Sequence, residues 1–248
     1  TAAVAFLLSL VTSALLTPLV RHLAHRFGAI DYALSSRKLH QGTIPRLGGI
    51  AIVAAFYVPL LALLFVDSGV GRVFLSDERC TLGLFLGGAA IAALGVYDDL
   101  KGAGALTKFA VQFGVAGAMY ALGFRVDQIA NPFGAPIALG WLGLPFTLCW
   151  IAGIVNAINL VDGLDGLAGG VALVKITVTL VFALLHGDPL MLLFTAAFAG
   201  AILGFLLYNF NPATIFMGDT GSMFLGFVLA TSAIQTHQKS STAVAILI

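Results

Sequence analysis

Apolar stretches of membrane-spanning length recur from one end of the chain to the other, and no other feature constrains its fold as tightly. A hydrocarbon core about 30 Å thick needs roughly 20 residues of helix. Only helices and closed barrels cross it, because backbone N–H and C=O groups find no water there. The runs are continuous rather than alternating, which selects helices over a barrel. Composition agrees: 60% of the 248 residues are hydrophobic and 9% are charged. That excludes a soluble domain, and a formal net charge of +1 points to no nucleic-acid partner. The expected fold class is all-α, a polytopic integral membrane helical bundle with about nine transmembrane helices in a single domain spanning residues 1–248.

The expected helices run roughly Ala2–Val20, Gly48–Val66, Cys80–Tyr97, Lys108–Phe124, Gly143–Ile158, Leu167–Leu185, Leu190–Tyr208 and Gly221–Ile234, with a ninth beginning near Ala243. The first lacks a basic leader and a small-residue cleavage site, so it reads as a span rather than a signal peptide. A chain that starts at Thr1 and stops inside an apolar run at Ile248 is expected to be a piece of a longer protein, incomplete at its C-terminus. Ile137-Ala-Leu follows the turn formers Asn131-Pro132, Gly134 and Pro136 and is expected to form one arm of a short hairpin. Gly83-x-x-x-Gly87 and Gly200-x-x-x-Gly204 mark close helix packing. Cys80 and Cys149 read as inert buried thiols. Lys175, near the middle of the sixth helix, either snorkels or pairs with a carboxylate.

Against this background the polar residues stand out. Asn156, Asn159, Asp162 and Asp165 fall within ten residues and are flanked by apolar runs. An isolated Asp at mid-membrane costs roughly 2.5–3.5 kcal/mol, so a divalent cation or polar ligand is expected to compensate. Two further acidic segments share the setting, Tyr97-Asp98-Asp99-Leu-Lys101 and Phe216-Met-Gly-Asp219-Thr-Gly-Ser222. Counting helices puts all three on one face, with the loops after the first, third, fifth and seventh helices. That face carries Arg21, Arg26, Arg37, Lys38, Arg46, Lys101 and Lys108; the other carries Arg72, Arg79, Arg125 and Lys239. By the excess of positive charge, the motif face is expected to be cytoplasmic.

Carboxylate and amide oxygens are hard ligands that suit Mg²⁺ or Mn²⁺, and no Cys/His spacing points to zinc. Lys38, Arg46, Lys101 and Lys108 can balance phosphate charge, and the glycines at 163, 166, 169, 170, 218 and 221 let backbone approach a ligand. Together these suit phosphoryl transfer at a membrane surface, where catalysis is mostly positioning and charge neutralisation. Simpler readings compete. Asp98-Asp99 could be an interfacial helix stop, Asp162, Asp165 and Asp219 could be helix caps, and His40 an interfacial polar residue. An ion-coupled transporter is the rival function, but it would place its carboxylates mid-helix rather than at helix ends on one side.

The segments Arg37-Lys-Leu-His40, Pro45-Arg-Leu-Gly-Gly49, Asp98-Asp99, Asn156-x-x-Asn159-x-x-Asp162-Gly-x-Asp165-Gly and Asn209-x-x-Pro212-Ala-x-x-Phe216-Met-Gly-Asp219-x-Gly-Ser222 carry a resemblance. In that order they resemble the polyprenyl-phosphate N-acetylhexosamine-1-phosphate transferases. Members of that family start cell-envelope glycans, among them enterobacterial common antigen, O-antigen, wall teichoic acid and peptidoglycan. The resemblance implies attack by undecaprenyl or decaprenyl phosphate on the sugar-bearing phosphorus of a UDP-sugar, releasing UMP, at the inner membrane of a bacterium. It implies that Asp219 and Asn159 hold Mg²⁺, and that Asp98 acts as base or lipid-phosphate handler with Asp99 beside it. It further implies that Asp162, Asp165 and Asn209 contact the nucleotide sugar, that Phe216 stacks on uracil and that Lys108 meets phosphate. Lys38, His40 and Asn156 complete the expected substrate-binding set. The wording of Asn131–Trp141 and of Leu160-Val-Asp-Gly-Leu-Asp-Gly166 is closer to the GlcNAc branch than to the MurNAc-pentapeptide branch, which stays as the alternative. The family's His-rich loop would fall beyond Ile248, and His237 lies on the wrong face to replace it. A homodimer is compatible with the sequence and not required by it.

Overall fold

The structure, a computed structural model, describes residues 2–27, 30–31, 44–63, 65, 72, 77–129, 131 and 134–239. Lys38, His40 and the start expected for a ninth helix near Ala243 lie outside these residues. Eight helices are seen among the described residues. They are α1 (Ala2–Phe27), α2 (Gly49–Ala62), α3 (Glu78–Lys101), α4 (Ala105–Ala121), α5 (Gly143–Val161), α6 (Leu167–Leu185), α7 (Pro189–Asn209) and α8 (Gly218–Lys239). Strand β1 (Ile30–Asp31) pairs antiparallel with β2 (Ile44–Pro45), and β3 (Gln128–Ile129) with β4 (Ile137–Ala138), the hairpin expected before α5. Five helices, α1, α3, α5, α6 and α7, are long and apolar enough to cross a membrane by length and composition. The molecule is thus a multi-pass helical membrane protein.

The bundle is built around α7 and α8. Helix α7 is apolar all round, the pattern of a helix enclosed by others, and nearly every described residue of α8 from Met217 to Thr236 is buried, polar ones included. Helix α1 lies along α7, while α3 and α5 lie along α8. Small residues set these distances. A Cβ on Gly200 or Gly204 would meet the α1 backbone at Phe6 or Leu10, and one on Gly83 or Gly87 would meet Met119 and either Phe124 or Phe227. Both small-residue spacings therefore mark close contact. Phe56, Phe194, Phe198 and Phe224 fill the centre. A wide π-turn at Gly83–Gly87 interrupts α3, and the Tyr57 hydroxyl donates to the carbonyls of Leu84 and Phe85 there, at 3.0 and 3.2 Å.

Two expectations are corrected here. Cys80 is buried, but Cys149 is exposed on the outer face of α5, because that helix turns one side away from the bundle. Lys175 neither snorkels nor meets a carboxylate: its ammonium donates to the Leu229 carbonyl at 2.9 Å and the Ser232 hydroxyl at 3.0 Å, tying α6 to α8.

Several helices run further than expected, and this matters for the site. Helix α3 continues through Asp98 and Asp99 to Lys101, α5 continues past Asn159 to Val161, and α4 starts three residues before Lys108. The polar motifs are therefore rigid last or first turns rather than loops. The C-terminal ends of α3, α5 and α7 gather at one end of the bundle with the N-terminal ends of α2, α4, α6 and α8, as the contacts below show.

Candidate active site

At the end of α3 the chain turns through Gly102, whose φ of +75° is open to glycine, and enters α4 after Gly104. This short connection returns Lys108 to the level of Asp98. The Asp98 carboxylate accepts from the Ala103 N–H, which orients it, and pairs with the Lys108 ammonium. The same ammonium pairs with Asp219, in the first turn of α8. Asp219 accepts a further bond from the Asn159 carboxamide at 3.1 Å, and that carboxamide also donates to Ser222 at 2.8 Å. Four helices thus place Asp98, Lys108, Asn159 and Asp219 in one connected cluster. The side chains of Lys108, Asp98 and Asp219 are 21%, 11% and 20% exposed, open to a ligand yet shielded enough for charge to matter.

Asp99 faces elsewhere. Its carboxylate accepts from the Asp219 N–H at 2.9 Å, the Thr220 N–H at 3.0 Å and the Thr220 hydroxyl at 2.6 Å. It caps α8 from a different helix. The turn before α8 is also held from α2: Gly48 and Gly49 donate to the carbonyls of Phe216 and Met217 at 2.9 and 2.8 Å, and Phe216 donates to Pro45 at 2.8 Å. The Phe216 side chain is half-buried beside this pairing.

The other expected residues divide into two groups. Asp165 accepts from the Ala213 N–H at 2.9 Å and the Asn211 carboxamide at 3.2 Å, while Asn209 accepts from the Gly166 N–H at 3.2 Å and donates to Ile215 at 2.9 Å. These bonds staple the turn at 162–166 to the one at 210–217. Neither Asp162 nor Asp165 caps α6, whose N-cap is Gly166 at φ +70° with no side-chain cap. Asn156 donates to Gln112 at 2.6 Å, across the α4–α5 contact. The sequence reading missed Gln112. Its signal was there: a buried amide one turn after Lys108 in an apolar helix needs a partner.

Asp162 lies in the turn after α5, as Asp165 does. Burial pushes Asp162 up to about 7; the negative charges of Asp219 and Asp99 act the same way and Arg46 opposes them. Asp219 and Asp99 raise Asp162 by like-charge repulsion, so a further cation among these carboxylates would be stabilised. Among the described residues no three His, Cys, Asp or Glu side chains form a metal cage by themselves. Mg²⁺ does not need one, since it is usually held by one or two carboxylates with water and phosphate completing its shell. The Lys108 ammonium, lying between carboxylates from α3 and α8, shows that the cluster accommodates a cation, and its oxygen donors suit a hard one.

Comparison with known proteins gives a consistent picture. The sequence profile described as glycosyl transferase family 4 matches residues 81–237. A probable undecaprenyl-phosphate N-acetylglucosaminyl 1-phosphate transferase from Bacillus subtilis is 40% identical over 99% of this chain and 66% of its own length. A decaprenyl-phosphate N-acetylglucosaminephosphotransferase from Mycobacterium leprae is 38% identical over 88% of the chain and 56% of its own. A phospho-N-acetylmuramoyl-pentapeptide-transferase from Listeria monocytogenes is 32% identical over 96% and 75%. The chain therefore spans somewhat over half of the length of the first two.

Proposed function

The chain belongs to glycosyl transferase family 4, and from that premise we propose that it transfers N-acetylglucosamine-1-phosphate from UDP-GlcNAc to a polyprenyl phosphate, releasing UMP. The observation that carries the reading is the Lys108 ammonium shared by Asp98 and Asp219, with Asn159 on the second carboxylate. The two more similar relatives above are named for GlcNAc-phosphate transfer, which favours that donor over a MurNAc-pentapeptide one.

In this reading Asp98 takes the proton of the lipid phosphate, whose oxygen forms a bond to the sugar-bearing phosphorus as the bond to UMP breaks. Lys108 holds phosphate oxygens and offsets their charge as it builds. Asp219, with Asn159 against it, would hold Mg²⁺ or Mn²⁺, which when bound neutralises diphosphate charge. Asp162, Phe216, Lys38 and His40 are proposed to contact the donor. Asp165, Asn209 and Asn156 act on it through the turns and helices they join. The site faces the cytoplasm, where UDP-sugars are found, and the membrane is the bacterial inner one. Positive charge concentrated on the motif face supports that orientation.

The test offers the purified full-length protein UDP-GlcNAc and UDP-MurNAc-pentapeptide in parallel, with undecaprenyl phosphate and Mg²⁺, and measures UMP. Release with UDP-GlcNAc is expected. Release with the pentapeptide donor alone would transfer the assignment to the other branch, and none with either would end it.

A further inference from the structure

Asp98 and Asp99 are adjacent carboxylates, yet only Asp98 touches Lys108. We propose that Asp99 is a positioning residue: it fixes the first turn of α8, and through it the Asp219 carboxylate, and takes no proton itself. This rests on the reading of Asp98, Lys108 and Asp219 given above.

Three observations carry it. First, Asp99 accepts three hydrogen bonds, all from Asp219 and Thr220. A carboxylate offers about four lone-pair positions, so most of this one's are committed to the α8 turn. Second, the α8 turn is fitted to this carboxylate. Gly218 has φ +66°, and a Cβ there would lie 2.6 and 2.7 Å from the two Asp99 oxygens. Third, α3 comes close enough only because Gly95, one turn before Asp99, has no side chain: a Cβ there would strike the backbone of Asp219 and Thr220. A negative group at a helix start also complements the unpaired N–H groups and their dipole. Asp219 is thus held by its backbone from Asp99 and by its side chain from Lys108 and Asn159. Thr220 is 1% exposed, so its hydroxyl serves the cap and not a ligand.

The test uses the full-length protein in lipid nanodiscs. Hydrogen–deuterium exchange without substrates follows the peptide covering residues 217–222, and UMP release is followed against pH. Asp99→Asn should accelerate exchange at Asp219 and Thr220 about 10-fold or more, as loss of a bond to a charged group implies. It should lower kcat about 100-fold, the scale of a small misplacement, while leaving both KM values and the acidic limb of the pH profile in place. Thr220→Val should show the same pattern more weakly, with Thr220→Ser restoring it; this pair decides the matter if Asp99→Asn does not fold. Unchanged exchange in Asp99→Asn, or loss of the acidic limb there while Thr220→Val behaves as wild type, would overturn the proposal. Asp98→Asn run alongside separates the two claims: normal turnover in it would remove the base assignment and leave the exchange result standing.

Discussion

Consecutive residues on an α-helix point about 100° apart, so Asp98 faces Lys108 while Asp99 faces the first turn of α8. The sequence marks both as costly carboxylates in an apolar chain and cannot tell them apart, because the partners of Asp99, Asp219 and Thr220, lie over a hundred positions away. The same holds for Asn156 and Asn159: three apart, they share a helix side, yet one meets Gln112 and the other Asp219. Truncating the shared cation tests the cluster at this scale. Lys108→Ala should raise KM for UDP-sugar and lipid phosphate by about 10- to 100-fold, the range for hydrogen bonds to charged groups, as measured by steady-state UMP release. Unchanged KM values would contradict its phosphate role. Asp162 supports a prediction on pH. With its carboxyl raised from 3.8 to about 7, the folded state holds a proton that the unfolded chain releases between those values. The resulting stability is complete below 3.8 and lost as pH rises through 7. In divalent-free buffer, Asp162→Asn should therefore melt above wild type at pH 8, the difference shrinking as pH falls towards 4. An equal difference at both ends would refute the shift.

Helices are where the sequence reads best. Eight of the expected helices and the hairpin before α5 are present among the described residues, because apolar runs and turn formers act locally. The ends read less well. Capping by a distant side chain leaves no local sign, so α8, capped by Asp99, begins before the expected boundary, and α3 and α5 run on past theirs. Close packing was legible in the glycine spacings and is testable. Gly200→Ala puts a methyl against the Phe6 carbonyl of α1, where backbone cannot yield. It should cost about 1–3 kcal/mol, as overpacking does, seen as a lower Tm in detergent. Gly117→Ala, with no atom within 4 Å of the added carbon, should be neutral or stabilising by up to about 1 kcal/mol. Equal shifts in the two variants would mean that α1 and α7 are not in the contact described.

For the whole molecule, parity follows from the fold: every second connection lies at the same end of the bundle, so acidic turns spread from 98 to 219 can meet without any long loop. The cluster lies at one end of the bundle, between α3, α4, α5 and α8. In the proposed reaction, that end of the bundle is where the donor and the lipid phosphate would meet. The measurement that bears most directly on this account is UMP release from UDP-GlcNAc by the full-length protein carrying Asp98→Asn or Asp219→Ala, with folding checked by gel filtration in detergent. Both variants should elute as wild type and lose activity by at least about 10³-fold, comparable to removing a principal stabilising group from an active site. Turnover near the wild-type rate in either variant would contradict a single site assembled from these helix ends.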